Sequence, residues 1–359
     1  MTQSWLAILL MFCVRARRGR CFIPDTESRK DEKNTMLSFY SNKKNANTIL
    51  VTAIGSFSAD CVITTFREYG YNVIGCDIYP SIWIPASEKC NCVYQAPLAI
   101  KEKDYINFLL HLVDKEKINY IVPLTDIEID VINKYRNKFI NVTICIQSES
   151  TLSVARDKKA ICEYFEKDSL INIPVFMHTR KLYDRFPLPA IAKPIHGRSS
   201  EGIERIYTVA ELDDIRGKDD YIIEEIIEGN VYCVDYVRDK KGADFAIPRE
   251  ELLRTKNGAG TTVRIVPDTD LIQMASYIGK KLNILGCVNM EFIRSKENIY
   301  YLIDINPRFS AGVAFSNFIG YNMVISHLNS FLNKSIELPI SFKEQIVCKY
   351  YCEKLLWKS

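Results

Sequence analysis

The sequence predicts a mixed α/β and α+β protein in which an N-terminal doubly wound parallel sheet comes first and an α+β region follows. Three observations carry that expectation. Up to about residue 150, continuous apolar runs rich in β-branched residues alternate with helix-period stretches, the pattern of parallel strands buried on both faces. From about residue 151 the alternation gives way to short strands separated by turns. A chain of 359 residues is also long enough for two or three domains, and so for a cleft between them.

The elements follow in order. Thr48 to Ile54 (TILVTAI) reads as a strand, Gly55-Ser56-Phe57-Ser58 as a turn, and Ala59 to Tyr69 as an amphipathic helix. The unit recurs: a strand at Asn72 to Asp77, a helix at Tyr105 to Lys117, a strand at Tyr120 to Leu124, a helix at Ile127 to Lys138 and a strand at Val142 to Gln147. Gly55 followed about 20 residues on by Asp77 invites a dinucleotide reading, but the three-glycine fingerprint is missing, so the turn reads better as a helix N-terminus facing a substrate anion. Beyond it come a helix over Thr151 to Asp168 and strands at Ala190 to Pro194, Gly202 to Tyr207, Tyr221 to Glu225 and Val231 to Arg238. Another mixed segment runs from about 265 to 335.

Composition narrows the function class. Hydrophobic residues at 47% and charged residues at 25% suit a folded globular protein. A net charge of +3 with interspersed basic residues argues against nucleic acid as a partner. Many of the 12 cysteines sit in apolar runs, such as Cys76 in Val73-Ile74-Gly75-Cys76, which suits reduced thiols and a cytoplasmic setting. Cys90/Cys92 and Cys348/Cys352 are spaced like half of a zinc site, without a matching pair or His cluster. The apolar run Leu6 to Val14 is too short to span a bilayer, and its arginines follow it rather than precede it as in a secretory signal. Residues 1–46 are therefore expected to be a disordered extension, with Met36 as an alternative start, and no membrane partner is expected.

The densest chemistry lies in Asn289 to Arg308 (NMEFIRSKENIYYLIDINPR), which reads as two strands joined by a polar turn. A turn centred between Glu297 and Asn298 sets Glu291 opposite Asp304, and period-two alternation puts Asp304, Asn306 and Arg308 on that face. Two facing carboxylates need a compensating cation, and hard oxygen ligands suit Mg²⁺ bridging a polyphosphate. The competing reading is a solvated hairpin, which the position of Asp304 in the apolar run Tyr300 to Ile305 disfavours. A second segment runs from Ile191 to Gly202. It delivers Lys193 into a loop carrying Gly197, Arg198, Ser199, Ser200 and Gly202, suited to covering phosphate. Arg249 to Gly260 (REELLRTKNGAG) reads either as a loop over substrate, with Arg254 as a candidate catalytic residue, or as a solvated basic loop.

Lys193-Pro with its glycine-bounded loop, then Glu224-Glu225-Ile226-Ile227-Glu228-Gly229, then Asp304-Ile-Asn306-Pro-Arg308 resembles the ATP-grasp superfamily, in order and over roughly residues 47 to 335. The flavour is that of its carbamoyl-phosphate-synthetase-like branch of stand-alone carboxylate–amine ligases. The resemblance implies a pre-ATP-grasp domain over 47–150 and an ATP-grasp fold of two α+β subdomains over 151–335. A lid lies at about 188–235, and 336–359 forms a C-terminal segment. By resemblance, Lys158 and Lys193 contact nucleotide phosphates, and Glu224, Glu225, Ile226 and Ile227 form the adenine hinge. Glu291, Asp304 and Asn306 hold Mg²⁺, or Mn²⁺ in its place, and Arg308 stabilises the transferring phosphoryl group. The implied cofactors are ATP and Mg²⁺, and the implied partners are a small carboxylate and an amine of amino-acid or amino-sugar type, with a homodimer compatible. Two positions depart from the pattern: Val231 stands where a ribose-binding glutamate is usual, and Asp304 is one methylene shorter than the usual glutamate. The alternatives are an ATP-binding regulator with little turnover and a dinucleotide-dependent oxidoreductase.

Overall fold

The computed structural model describes residues 47–181, 186–197 and 202–356. The extension expected over 1–46 lies outside them, as do Arg198, Ser199 and Ser200.

The N-terminal region builds as its pattern requires. The parallel strands are β1 (Thr48–Thr52), β2 (Asn72–Asp77), β3 (Cys92–Gln95), β4 (Ile118–Val122) and β5 (Thr143–Ile144), in the order β3-β2-β1-β4-β5. Between them run α1 (Ala59–Glu68), α2 (Glu102–Glu116) and α3 (Asp126–Lys134). Every residue of β1 is buried, which explains its unbroken apolar run: Ile49 and Val51 face one core, and Leu50 joins Ile74, Leu109 and Ile132 in another. The short edge strand β3 escapes sequence detection because its Cys-Val-Tyr-Gln carries only half-buried and exposed side chains.

The helix expected over Thr151 to Asp168 is two helices, α4 (Glu149–Ala155) and α5 (Lys158–Phe165). Asp157 breaks it by taking extended backbone and capping α5, its carboxylate accepting from the Ala160 N–H at 2.8 Å. That break sets Lys158 in the first turn of α5.

Next come β6 (Phe176–His178), β7 (Ala190–Pro194), β8 (Glu204–Ile206), α6 (Val209–Ile215) and β9 (Tyr221–Glu225). The four strands form an antiparallel sheet, β6-β9-β7-β8. β10 (Gly229–Arg238), β11 (Asp244–Arg254), β12 (Gly260–Ile265), α7 (Thr269–Lys281), β13 (Gly286–Ser295), β14 (Tyr300–Asn306), α8 (Met323–Phe331) and β15 (Gln345–Cys348) follow. These strands make a second antiparallel sheet, ordered β14-β13-β10-β11-β12-β15.

Alternation gives that sheet two faces. Val234, Tyr236, Met290, Phe292 and Leu302 pack with Leu271, Ala275 and Ile278 of α7. Gly279 lets α7 lie close, because a Cβ there would meet the Tyr236 ring at 2.2 Å. The opposite face carries the chemistry.

The segment expected as a loop from Arg249 to Gly260 is mostly strand. β11 runs to Arg254, and only 255–259 turn. Arg249 is not solvated but 3% exposed, held by Asp235 at 2.6 Å and Glu251 at 3.1 Å. Its charge is cancelled by Asp235 of the neighbouring strand, which local pattern could not reveal.

Candidate active site

The sequence-derived pairing of Glu291 with Asp304 is present, and Asn289 pairs with Asn306. It arises differently from the expected route. The tip of the hairpin pairs Arg294 with Tyr300 and Ile293 with Tyr301, a turn centred on Glu297, and one extra residue, Ile303, then bulges from β14 to restore the predicted register. β14 ends at Asn306, so Arg308 does not share its face as a strand residue; beyond Pro307 its side chain turns back, and Nη2 donates to Asn306 Oδ1 at 3.2 Å.

A cavity of about 590 Å³ lies on this polar face. Glu291, Asp304, Asn306 and Arg308 line it, with Arg254 at the end of β11. So do Lys158 of α5, Lys193 of β7 and Gly197, and beside them Glu224, Glu225, Ile226 and Ile227 at the end of β9. Gly202 follows the undescribed loop residues and is not among the lining residues, although a Cβ on it would lie 2.9 Å from Pro194.

Charge is closely paired across the cavity. Lys193 Nζ donates to Glu224 Oε2 at 2.6 Å in near-complete burial; burial by itself favours the neutral amine, but Glu224 and Asp304 prevail and hold Lys193 above the ordinary lysine range. Glu224, expected by resemblance in the adenine hinge, is an ion-pair partner of Lys193. Lys158 Nζ stands 3.6 Å from Asp304 Oδ2 and donates to the Gly197 carbonyl at 3.1 Å. Arg254 Nη2 lies 3.1 Å from Glu291 Oε2, and Asn306 Nδ2 lies 3.4 Å from Glu291 Oε1. Burial raises the Glu291 carboxyl, Arg254 offsets this in part, and Asp304 and Glu251 raise it further. Each hairpin carboxylate thus has one cationic partner, Arg254 for Glu291 and Lys158 for Asp304.

Sequence reading missed Asp126, which opens α3 just past the end of β4 and meets the cavity only through Arg308. It accepts from Arg308 Nε at 3.0 Å and Nη2 at 2.9 Å, and Arg156 Nη1 approaches its other oxygen at 3.6 Å. Burial alone would raise this carboxyl; the two guanidiniums outweigh it and hold it below the usual range. An aspartate one residue after Thr125 resembles ordinary capping, and the available signal was its place at the carboxyl end of a parallel strand. Glu251 was missed too. Its side chain is 1% exposed, and Gly260 is required beside it, since a Cβ there would lie 1.9 Å from Oε2.

The turn after β1 is arranged otherwise than expected for an open anion site. The Gly55 N–H donates to Asp77 Oδ2 at 2.8 Å and the Tyr79 N–H to Asp77 Oδ1 at 3.1 Å, so both carboxylate oxygens engage the backbone.

Comparisons with known proteins agree with this architecture. A family described as "ATP-grasp in the biosynthetic pathway with Ter operon" matches residues 218–352, and "PylC-like, N-terminal domain" matches 49–146. The carbamoyl phosphate synthase large chain of Agathobacter rectalis is 24% identical over 155 residues, covering 38% of this chain and 14% of that one, so the chain spans a small part of that relative's length. The biotin carboxylase of Campylobacter jejuni in its β,γ-ATP complex has a TM-score of 0.69 at 15% identity, covering 86% of this chain and 73% of that one. The N5-carboxyaminoimidazole synthetase of Staphylococcus aureus complexed with ADP has a TM-score of 0.66 at 16% identity, covering 84% and 81%. The parallel N-terminal sheet and the two antiparallel sheets thus form the fold of the ATP-grasp enzymes, and residues 218–352, which include the facing carboxylates of β13 and β14, match an ATP-grasp family model.

Proposed function

We propose that the protein is an ATP- and Mg²⁺-dependent ligase that activates a carboxylate as its acyl phosphate and couples it to an amine, of amino-acid or amino-sugar type. The observation that carries this reading is the convergence, in one cavity, of the lysines on α5 and β7 with the facing carboxylates of β13 and β14. The domain division at 47–150 and 151–335, with a lid at 188–235, belongs to the same proposal. So does a cytoplasmic setting, in keeping with buried free thiols such as Cys76, Cys145 and Cys287.

The donors fit a divalent cation. Two carboxylates face each other, one of them raised by burial and by its neighbour, and the Asn306 amide lies beside them, its NH2 donating to Glu291 and its oxygen accepting from Arg308. Among the described residues no three His, Cys, Asp or Glu side chains form a cage, and a cation held here would need further oxygen ligands from outside the protein. Held by Glu291, Asp304 and Asn306, Mg²⁺ or Mn²⁺ would screen the charge of the transferring phosphoryl group.

The chain's own part is positional and electrostatic. Lys158 and Lys193 offset phosphate charge, the backbone of Glu225 to Ile227 borders adenine, and Arg308, fixed by Asp126, faces the moving phosphoryl group. The carboxylate oxygen attacks the γ-phosphorus as its bond to the β-bridging oxygen breaks and ADP leaves. The amine nitrogen then attacks the acyl carbon, phosphate departs and the nitrogen loses a proton. No side-chain nucleophile is needed.

Hydroxylamine tests this reading by trapping acyl phosphates as hydroxamates. A panel of carboxylic acids with ATP and Mg²⁺ should yield hydroxamate for at least one acid, dependent on ATP. A second reading, an ATP-binding regulator with little turnover, is favoured by Val231 on the cavity wall and predicts nucleotide binding without hydroxamate. The oxidoreductase reading gains nothing from Asp77, whose oxygens are committed to backbone N–H groups.

A further inference from the structure

Lys349 follows β15, where its N–H still donates to the Thr261 carbonyl at 2.8 Å. Its ammonium donates to the Ala311 carbonyl at 2.9 Å and stands 4.5 Å above the Phe57 ring. Ala311 and Phe57 both line the cavity, and Phe57 is 57% exposed although it is a large aromatic in the turn after β1.

The charge around Lys349 is unlike that of its neighbours. Lys158, Lys193, Arg249, Arg254 and Arg308 each face a carboxylate within 3.6 Å. Among the described residues Lys349 has the Ala311 carbonyl and two aromatic faces instead, Phe57 at 4.5 Å and Phe315 at 5.9 Å. Its nearest acidic influence, Glu251, is already committed to Arg249 at 3.1 Å. Burial and the nearby Arg249 cation pull the Lys349 ammonium below the ordinary lysine range, as expected of a cation that has lost water without gaining an anion. An ammonium has three donors, so the Ala311 bond leaves two to spend on a ligand.

We infer that Lys349 and Phe57 form a subsite that binds a substrate carboxylate, with the ammonium pairing the anion and the exposed ring receiving a flat or apolar body. The subsite draws on the turn after β1 and on the C-terminal strand, away from the lysine pair on α5 and β7. This inference rests on the ligase reading, because it gives that site its anionic substrate. Lys349 meets the cavity through two of its lining residues, Phe57 and Ala311. A paired lysine would have to lose its partner before binding substrate, whereas Lys349 binds without that loss.

The test uses benzoate and its uncharged twin benzamide as probes, titrated calorimetrically into the full chain. ATP binding is measured separately on the same preparations, and melting temperature reports folding. The parent should bind benzoate at least tenfold more tightly than benzamide. Lys349→Gln should abolish that preference, Lys349→Arg should retain most of it, and Phe57→Leu should weaken benzoate more than acetate. ATP binding should be unchanged in all three variants. Equal binding of benzoate and benzamide by the parent, or a benzoate affinity that survives Lys349→Gln in a folded protein, overturns the inference. Loss of ATP binding in the parent would overturn the ligase reading while the benzoate preference still reported on the anion subsite.

Discussion

Asp126 presents one oxygen, Oδ2, to both Nε and Nη2 of Arg308, at 3.0 and 2.9 Å. Asp126 begins the helix after the fourth parallel strand, and Arg308 lies just beyond the β13–β14 hairpin, so this contact fixes the arginine from the neighbouring sheet. Charge-assisted hydrogen bonds of this kind contribute about 1.5–3 kcal/mol. Asp126→Asn should therefore lower kcat by roughly tenfold to hundredfold and leave KM for ATP near that of the parent. Steady-state kinetics separate the two. A rise in KM at constant kcat would mean that Arg308 binds ground-state nucleotide.

The Lys193–Glu224 pair carries a stability prediction. Glu224→Gln strands a buried ammonium, which typically costs about 3–5 kcal/mol, tempered here by the distant Asp304. The check is denaturant unfolding at neutral pH. Lys193→Met combined with Glu224→Met should recover much of that loss, because the pair's desolvation is relieved together.

Glu291 gives a pH signature. Its folded carboxyl titrates above the ordinary value of 4.5, so between the two values the folded state holds a proton that the unfolded state has lost. The destabilisation it brings is absent below about pH 4.5, grows as pH rises through the window, and is complete above the raised folded value. Asp304→Asn removes one of the carboxylates that raise Glu291. In the metal-free protein the fall in melting temperature from about pH 5 to about pH 7 should be smaller in the variant than in the parent.

Val231 lies on the cavity wall, where it pairs with Ile293 across the β10–β13 ladder. A carboxylate there can accept from ribose hydroxyls, so Val231→Glu should tighten ATP binding by about 1 kcal/mol in calorimetry. Weaker binding would show a pocket shaped around the valine.

Much of the framework was legible because its signals are local. The strand Asn72–Asp77 is apolar from Val73 to Cys76, and it, Ala190–Pro194 and Tyr221–Glu225 appear with the predicted bounds. The Glu291–Asp304 pairing is also legible in the sequence, although the turn is centred about half a residue earlier than expected and a bulge at Ile303, which the pattern does not reveal, restores the register. What stayed hidden depends on partners far along the chain. β11 looks like a basic loop because Arg249 is neutralised by Asp235, and β15 has only one buried side chain to give it a pattern. The α4–α5 break turns on one capping aspartate in an otherwise helical stretch. Asp126 has no local mark distinguishing an arginine anchor from a cap.

The most direct test of the central claim is ADP release by Asp304→Asn, with ATP, Mg²⁺ and whichever acid and amine give the parent its highest rate. The substitution removes one ligand charge at constant shape while leaving Glu291 and Asn306 in place, and the lost electrostatic stabilisation should be at least about 2.7 kcal/mol. The account predicts a fall of at least ~100-fold with the fold intact by circular dichroism. Turnover at the parent rate would contradict it, because the metal would then have to be held somewhere other than between β13 and β14.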